Sequence, residues 1–486
     1  MNRPIRRIAV GFMVLFCALL ANANYIQVFQ APELNARDGN RRVTLDEYAR
    51  QRGPILVGGT QVAYSVKTND NLIYLRKYRS PELYGHLTGY YSYIYGRSGI
   101  ESDQNSVLSG TDDRLFVRRI VDLITNRQPQ GGSVQLTINP DAQRAALKGL
   151  GDKRGSVVAI EPSTGKVLAM VSQPSYDPNK LSSHDSASIT EAWKELTQNN
   201  PAEPMQNRAT QRRYPPGSTF KLVTSAAALS TGRYRPDTVV PAPAVLDLPQ
   251  TSRTMNNWQD GLCGSSAQIT LSEALATSCN TAYADLGLKL GDKALRDQAE
   301  KFGFGTKFLP ELGGVSSVFP DELDKPQTAL SSIGQYDVAA TPLQMAMVTA
   351  GIANGGKVMK PYIVGKVNGP DLQPLEITEP EVVSQAVSSS VASQLTQMMV
   401  DVVEGPNGTG KPVKIDGVQV AGKTGTAQTT PDRPPFAWFV SFAPADNPKV
   451  AVAVVIERAD VGRNEISGGK LAAPIAKDVM EAVIGK

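Results

Sequence analysis

Two side chains three residues apart, Ser218 and Lys221, are suited by type and spacing to nucleophilic chemistry. The Tyr-Pro-Pro-Gly stretch at 214–217 halts any preceding element, and the Ala- and Leu-rich run after Lys221 favours a helix. Residues three apart lie on one face of a helix, so this register brings the lysine stem alongside the serine hydroxyl. A serine with a lysine in reach is a nucleophile with a candidate base.

The same Ser-x-x-Lys pattern also occurs at 163–166 and at 467–470. Both of these copies carry glycine between the serine and the lysine and lie in turn-like sequence, so we expect neither to offer the helical register. Ser218 itself could simply cap a helix beside a solvated lysine, because serine is a favoured capping residue. The pattern alone does not distinguish a catalytic pair from a structural one.

Two further motifs follow Ser218 along the chain. Ser278-Cys279-Asn280 is the Ser-x-Asn sequence of the chain, in a predicted loop between two helices, and Lys423-Thr424-Gly425-Thr426 contains its Lys-Thr-Gly sequence. In this order the three motifs resemble the motif set of the penicillin-binding protein and serine β-lactamase superfamily. Any one motif is weak evidence, whereas the ordered set is strong.

The full length of the chain resembles a class B penicillin-binding protein. The Tyr-Pro-Pro-Gly stretch, the cysteine in the second motif and a short divergent non-catalytic domain make it most similar to the actinobacterial penicillin-binding protein A group. The resemblance implies a D,D-transpeptidase of cell wall synthesis during growth or division. It would cross-link peptidoglycan stem peptides through a Ser218 acyl-enzyme, release D-alanine and be acylated by β-lactam antibiotics.

The resemblance also implies a role for each motif residue. Ser218 would be the nucleophile and neutral Lys221 the leading candidate for its base, which requires the lysine pKa to fall from about 10.4 to near 7. Burial and a second cation, Lys423, could lower it. Ser278 would pass a proton to the leaving amine, and Asn280 would hold Lys221 and the substrate amide. By the same resemblance, Thr424, Gly425 and Thr426 would bind the substrate, and the two threonine hydroxyls would meet the substrate carboxylate. The backbone N–H groups of Ser218 and Thr426 would form the oxyanion hole. Which lysine or serine acts as base at each step stays open.

Other functions share parts of this pattern. A D,D-carboxypeptidase or a β-lactamase would use the same acylation residues with water for deacylation. An antibiotic-sensing receptor would need several membrane segments, and a catalytically silent β-lactam-binding scaffold would have little reason to keep all three motifs complete. The resemblance also implies a partner, a membrane glycosyltransferase of the shape, elongation, division and sporulation type, because no glycan-polymerising domain is recognised in the sequence.

The composition excludes several other classes. The chain has 486 residues, of which 41% are hydrophobic, enough for two or three domains with real cores. Its net charge of +4 comes from 50 basic and 46 acidic residues without a clustered basic face, so we expect no nucleic-acid partner. The two histidines, His86 and His184, lie far apart in the sequence and favour neither a zinc site nor a Ser/His/Asp triad. We expect no metal and no cofactor.

The amino terminus predicts a membrane segment. Arginines 3, 6 and 7 precede an apolar run that extends from Ile8 to about Phe29, long enough to cross a bilayer with the amino terminus in the cytoplasm. We predict a retained single-pass anchor and an extracytoplasmic catalytic domain. A cleaved signal peptide is the alternative, because Ala-Asn-Ala at 21–23 has the form of a cleavage site.

Export changes the interpretation of the cysteines. Cys17 lies in the apolar segment, which leaves Cys263 and Cys279 in an oxidising compartment where they could form a disulfide. Such a bond would brace the loop of the second motif. Two separate buried thiols are the alternative, since sequence separation does not say whether the two side chains approach each other.

The predicted architecture is a multi-domain α+β chain. It comprises a cytoplasmic tail (1–7), a transmembrane anchor (8–29), a small mixed non-catalytic pedestal domain (30–152) and a transpeptidase domain (153–486). The last is of the penicillin-binding and serine β-lactamase type, an antiparallel sheet with flanking helices and a helical subdomain. Apolar runs near both of its ends predict one sheet assembled from 155–171 and 417–456, covered by a helix at 472–484. In the pedestal, the fragments 52–55 and 96–101 resemble the non-catalytic domain of the class, although 56–59 departs from its usual Asp-Arg-type sequence.

Overall fold

The computed structural model describes residues 3–30, 47–116, 121, 124–125, 130–257, 260–430 and 433–486. Parts of the predicted pedestal domain, residues 31–46, 117–120, 122–123 and 126–129, lie outside these ranges.

The secondary structure is mixed throughout the chain after the first helix. The strands are β1 Ile55–Val57, β2 Thr60–Lys67, β3 Tyr74–Tyr78, β4 Tyr91–Ser92, β5 Gly96–Arg97, β6 Ser133–Leu136, β7 Arg154–Ile160, β8 Val167–Gln173, β9 Val239–Pro241, β10 Val245–Asp247, β11 Thr254–Asn256, β12 Gln268–Thr270, β13 Lys357–Met359, β14 Val364–Asn368, β15 Pro374–Ile377, β16 Val382–Gln385, β17 Ala421–Ala427, β18 Phe436–Ala443 and β19 Val450–Arg458. The α-helices are α1 Arg3–Tyr25, α2 Pro81–Thr88, α3 Gly99–Asp103, α4 Asn105–Leu108, α5 Pro140–Leu150, α6 Asn179–Ser182, α7 Ser186–Thr197, α8 Lys221–Ser230, α9 Leu271–Ala276, α10 Asn280–Leu290, α11 Asp292–Lys301, α12 Lys325–Ser331, α13 Pro342–Ala353, α14 Ser389–Glu404 and α15 Ala473–Ile484.

Helix α1 carries the predicted membrane segment. It continues into a π-helical turn, Ile26–Gln30, and none of its residues is buried against the protein. Together they form the one helix among the described residues that is long and apolar enough to cross a membrane, with 28 residues against the roughly 20 that a bilayer core needs. The helix fits a single-pass membrane anchor.

The central sheet of the C-terminal part is antiparallel and has the strand order β17-β18-β19-β7-β8. The pairing of β19 with β7, in which Ala453 lies opposite Val158, joins the last strand of this part to its first. The prediction of one sheet assembled from both ends of the domain is therefore confirmed. Strand β17, which carries the third motif, lies at one edge of the sheet.

Both faces of this sheet are buried. Side chains alternate between the faces along a strand, so Trp438, Val440 and Phe442 of β18 belong to one apolar core, and Ala437 and Phe439 belong to the other. Helix α13 packs on the first face, and α5 and α15 pack on the second. Burial on two faces explains why the strands are almost continuously apolar, and it places Trp438 in the core.

A second sheet has the order β15-β14-β6-β1-β2-β3. Strand β6 runs parallel to β1 and antiparallel to β14, with Val134 opposite both Ile55 and Val367. The sequence analysis did not predict this pairing, because β14 and β15 lie within the range expected to form the transpeptidase domain. Local patterns identify a strand but not a partner more than 200 residues away.

A buried group of charges holds the pedestal part together. The Glu101 carboxylate is fully buried and accepts hydrogen bonds from Arg52 Nε at 2.5 Å and from Arg76 Nε at 2.6 Å. Burial alone would raise the pKa of Glu101, but the charges and hydrogen bonds of Arg76 and Arg52 lower it below the ordinary value. Arg52 and Glu101 belong to the two fragments that resemble the non-catalytic domain of the class, so the ion pair links them in space.

Replacing Glu101 with glutamine is expected to lower the free energy of unfolding by about 3–5 kcal/mol, because two buried guanidinium groups lose their counter-charge. Urea unfolding of the detergent-solubilised chain measures the change. The matched control is Glu376→Gln, which breaks the exposed pair with Arg114 and should change stability by less than about 0.5 kcal/mol. Because the folded pKa of Glu101 is depressed, its contribution is present above the unfolded pKa and is lost as pH falls through the folded value. Equal stability of the two variants would contradict this role.

Candidate active site

The three motifs converge on one cleft with a volume of about 430 Å³. The lining includes Ser218 of the first motif, Ser278 and Asn280 of the second, and Thr424, Gly425 and Thr426 of the third. Lys221 and Lys423 lie beneath this lining and are both fully buried. The structure therefore brings all eight residues predicted for catalysis and substrate binding to one place.

Ser218 lies in a tight turn that leads into a buried helix. Gly217–Phe220 forms a 3-10 turn, and α8 begins directly after it at Lys221. The predicted helix is present, but its first turn is wound more tightly than an α-helix. The turn is held from both sides, because the Gly217 N–H donates to the carbonyl of Gly334 at 2.9 Å and the Trp438 indole donates to the carbonyl of Pro215 at 3.0 Å.

The ammonium group of Lys221 is held by the second motif. Its Nζ donates to the backbone carbonyl of Ser278 at 2.7 Å and to Asn280 Oδ1 at 2.8 Å. Burial, followed by repulsion from the charge of Lys423, places the pKa of Lys221 well below its ordinary value. A lowered pKa increases the neutral fraction of the lysine, and the neutral form is the one that can act as a base for serine.

Lys423 contacts the same serine from the opposite side. Its Nζ donates to Ser278 Oγ at 2.8 Å and to the carbonyl of Thr424 at 2.8 Å. Burial lowers the pKa of Lys423 to about 7. Ser278 therefore bridges the two lysines, with its carbonyl oxygen on one and its hydroxyl on the other.

The loop of the second motif has an unusual backbone. Ser278 has a φ of 60°, a left-handed conformation that is uncommon for a residue with a side chain and costs about 1–3 kcal/mol. The loop lies between α9 and α10, as predicted, and the Ser278 and Cys279 N–H groups bond to the carbonyls of Leu275 and Ala274. The structure also joins Cys279 to Cys263 through a disulfide. These contacts hold the serine in its strained position.

Asn257 is a supporting residue that the sequence analysis missed. It is 7% exposed, and its Oδ1 accepts hydrogen bonds from the backbone N–H groups of Asn280 and Thr281, both at 3.0 Å. These are the first N–H groups of α10, which have no acceptor within the helix. The residue lies in an irregular stretch far from the motif in sequence, so no local pattern indicated it.

The segment Ser467–Lys470 also lines the cleft, which its sequence did not indicate. Ser467 caps a π-helical turn, Gly468–Ala472, that leads into α15, and its Oγ accepts from the Lys470 N–H at 3.4 Å. Gly468 and Gly469 disfavour a regular helix, and they are present because the segment packs closely against the sheet. By contrast, Ser163–Lys166 lies in the connection between β7 and β8, where Lys166 pairs with Glu161 at 3.6 Å.

Thr409, Gln335 and Gln428 also contribute polar side chains to the lining and were not predicted. Thr409 Oγ1 lies 2.7 Å from Thr424 Oγ1, so it continues the hydroxyl surface of the third motif. None of the three residues belongs to a motif, and their position depends on the tertiary fold.

Gly425 allows the third motif to approach the serine turn. A Cβ atom at this position would lie 2.9 Å from Thr219 Cγ2, 3.0 Å from Trp438 Cβ and 3.2 Å from the carbonyl oxygen of Pro216. Strand β17 is paired regularly with β18 at this point, so the glycine is required by close packing and not by a bulge.

Gly425→Ala is therefore expected to lower the free energy of unfolding by about 1–3 kcal/mol, because strand and turn must separate to admit the methyl group. Thermal or urea unfolding measures the loss. Gly462→Ala is the control: the nearest atom to an added Cβ there is 3.9 Å away, and the residue has a φ of −59° that alanine accepts. If Gly425→Ala lowers the free energy of unfolding no more than Gly462→Ala does, the contact at Gly425 is not tight.

Comparison with known proteins gives a consistent result. The family model described as penicillin binding protein transpeptidase domain matches residues 155–481, and the one described as penicillin binding protein A dimerisation domain matches residues 52–134. The peptidoglycan D,D-transpeptidase PbpA of Mycolicibacterium smegmatis is 47% identical over 495 residues, covering 100% of this chain and 99% of that protein. PbpA of Mycobacterium tuberculosis is 45% identical, with the same coverage.

The solved structures agree with the sequence relatives. Penicillin-binding protein A from M. tuberculosis, as a ceftriaxone acyl-enzyme complex, superposes with a TM-score of 0.86 at 43% identity, covering 90% of this chain and 100% of that one. Its penicillin G acyl-enzyme complex gives a TM-score of 0.85 with the same identity and coverage. The resemblance inferred from the three motifs is confirmed, and the chain belongs to the class B penicillin-binding proteins.

Proposed function

We propose that this chain is a peptidoglycan D,D-transpeptidase that cross-links stem peptides through an acyl-enzyme on Ser218. The observation that carries the proposal is the buried Lys221, whose pKa is lowered and whose ammonium group is bonded to the second motif at the floor of the cleft. Relatives that match this chain over its full length are named as D,D-transpeptidases, and related structures are β-lactam acyl-enzymes.

Acylation begins with proton transfer from Ser218 to neutral Lys221. The serine oxygen attacks the carbonyl carbon of the D-Ala-D-Ala amide, and the backbone N–H groups of Ser218 and Thr426 stabilise the resulting oxyanion. Asn280 accepts a hydrogen bond from Lys221 and orients it. The C–N bond then breaks, and D-alanine leaves as a protonated amine.

The leaving amine needs a proton, and Ser278 is placed to deliver it. Its hydroxyl is bonded to Lys423 Nζ, and its carbonyl is bonded to Lys221 Nζ. A proton given up by the Ser278 hydroxyl can be replaced from Lys423, whose pKa of about 7 allows both protonation states near neutral pH. In the second half of the reaction, an amine of a neighbouring stem peptide attacks the acyl-enzyme and releases Ser218.

Substrate binding is assigned to the third motif. The hydroxyls of Thr424 and Thr426 orient the terminal carboxylate of the donor peptide, and Gly425 keeps the strand close to the nucleophile. The open edge of β17 offers main-chain groups to an extended peptide.

Helix α1 supports a position in the cell membrane. The helix length and the arginines at its start support an amino terminus in the cytoplasm and a catalytic part outside the membrane. We assign residues 1–7 to a cytoplasmic tail, 8–29 to the anchor, 30–152 to the pedestal and 153–486 to the transpeptidase domain. A membrane glycosyltransferase of the shape, elongation, division and sporulation type is the proposed supplier of glycan strands.

The pH dependence of acylation tests the two-lysine arrangement. Protonation of Lys221 removes the base, so the rate of acylation by benzylpenicillin should fall as pH drops through the folded pKa of Lys221. In Lys423→Gln the repulsion that lowers this pKa is absent. The pKa of Lys221 should then rise, and the acid limb of the pH–rate profile should move to higher pH.

Stopped-flow acylation across the pH range measures this shift. The control is Lys477→Gln, which removes one positive charge from α15 at a residue outside the cleft lining. Its profile should match the wild type. An acid limb of Lys423→Gln that stays in place or moves to lower pH would contradict the proposed coupling.

The acyl-enzyme itself is tested by intact mass after benzylpenicillin. Wild type should gain one stable adduct and Ser218→Ala none, because the alanine variant lacks the attacking oxygen. With a stem-peptide donor and an amine acceptor, wild type should release D-alanine and form the cross-linked product. Hydrolysis of the donor without cross-linking would indicate a carboxypeptidase, and an unmodified wild type with intact drug would indicate a silent scaffold.

A further inference from the structure

The lining of the cleft has an asymmetric charge. Among its described residues there is no aspartate or glutamate, and Lys470 is the one charged side chain. Lys221 and Lys423 lie beneath the surface with lowered pKa values, and their ammonium groups point to Ser278 and its neighbours. Lys470 therefore provides the positive charge at the surface of the described lining.

This charge is not used within the protein. Lys470 is exposed and forms no ion pair with any residue that the structure describes. Lys477, seven residues further along the same helical segment, pairs with Glu481 at 3.8 Å. The Lys470 ammonium group is thus available to a ligand in the cleft.

The backbone that carries Lys470 is held against the third motif. A Cβ atom on Gly468 would lie 1.9 Å from the carbonyl oxygen of Trp438, so the segment is in direct contact with the sheet. At Gly469 the corresponding position lies 3.6 Å from Thr424 Cγ2 and 2.9 Å from the carbonyl oxygen of Thr409. The backbone next to Lys470 therefore lies close to Thr424, the residue assigned to the substrate carboxylate.

Thr424 and Thr426 cannot neutralise the charge of a carboxylate. Their hydroxyls carry no net charge, and Thr424 Oγ1 is already within hydrogen-bond distance of Thr409 Oγ1, at 2.7 Å. A carboxylate that leaves water for the cleft loses hydration, and hydrogen bonds from neutral groups compensate for it less than a nearby cation does.

We propose that Lys470 supplies the positive charge that selects donors with a free terminal carboxylate, while Thr424 and Thr426 orient that carboxylate. Lys470 is a specificity residue for the reaction under "Proposed function", on which this inference rests. It acts on the encounter and binding of the donor and takes no part in proton transfer. The selection weakens as salt screens the charge.

The test compares benzylpenicillin with its methyl ester, which has the same β-lactam ring and side chain but no carboxylate charge. Acylation rate constants are measured on the full chain in detergent for wild type, Lys470→Gln, Lys470→Arg and the control Lys477→Gln. We expect Lys470→Gln to slow acylation by the acid roughly fivefold, as for one exposed charge pair, and to leave the ester unchanged. The slower acylation should appear as a higher benzylpenicillin concentration needed for half of the limiting rate. The limiting rate itself should not change.

Two further variants distinguish an effect of the Lys470 charge from an effect on the fold. Lys470→Arg should retain the preference for the acid, and Lys477→Gln should behave as wild type. In about 1 M salt, where the Debye length falls to about 3 Å, wild type should approach Lys470→Gln. Equal losses for acid and ester would mean that Lys470 only supports the fold, and no loss for either would mean that its charge is not used; both results overturn the proposal. Failure of the wild type to be acylated by either compound would instead overturn the proposed function.

Discussion

Two buried lysines, Lys221 and Lys423, both form hydrogen bonds with one serine, Ser278. Removing an ammonium group from water costs several kcal/mol unless hydrogen bonds replace its hydration, and two like charges close together disfavour each other further. Ser278 replaces part of this hydration, because its carbonyl accepts from Lys221 and its hydroxyl accepts from Lys423. Its left-handed backbone belongs to this arrangement. The surrounding helix ends, the disulfide and Asn257 serve to keep the loop in place.

The sheet determines where this loop meets the nucleophile. Helix α8 is buried along nearly its whole length, so the Ser218 turn has little freedom to move. On its other side, β17 approaches so closely that only glycine fits at position 425. Packing between this helix and the edge strand therefore fixes the first and third motifs on the two sides of the Ser278 loop.

The sequence predicted the residues at the centre of the cleft better than the rest of its lining. The three motifs identified all eight central residues, because each motif combines a reactive side chain with a local conformation that sequence reveals: a helix start, a loop between helices and a strand. The sheet was predictable from long apolar runs such as 450–456. Asn257, Thr409 and Ser467–Lys470 were missed because tertiary contacts alone bring them to the site. Gly468 and Gly469 lie in a π-helical turn despite their low helix propensity, because the segment packs closely against the sheet, while Ser467 lies outside this turn.

The pairing of β6 with β14 has a consequence for biogenesis. Ser133 and Asn368, which are hydrogen-bonded across this pair, are separated by 235 residues. Because synthesis proceeds from the amino terminus, β6 is made long before β14, so β6 waits with one edge unpaired while the chain between the two strands is still being synthesised. The pedestal sheet therefore cannot finish folding as an independent early unit, and its completion reports that the chain has emerged beyond residue 377.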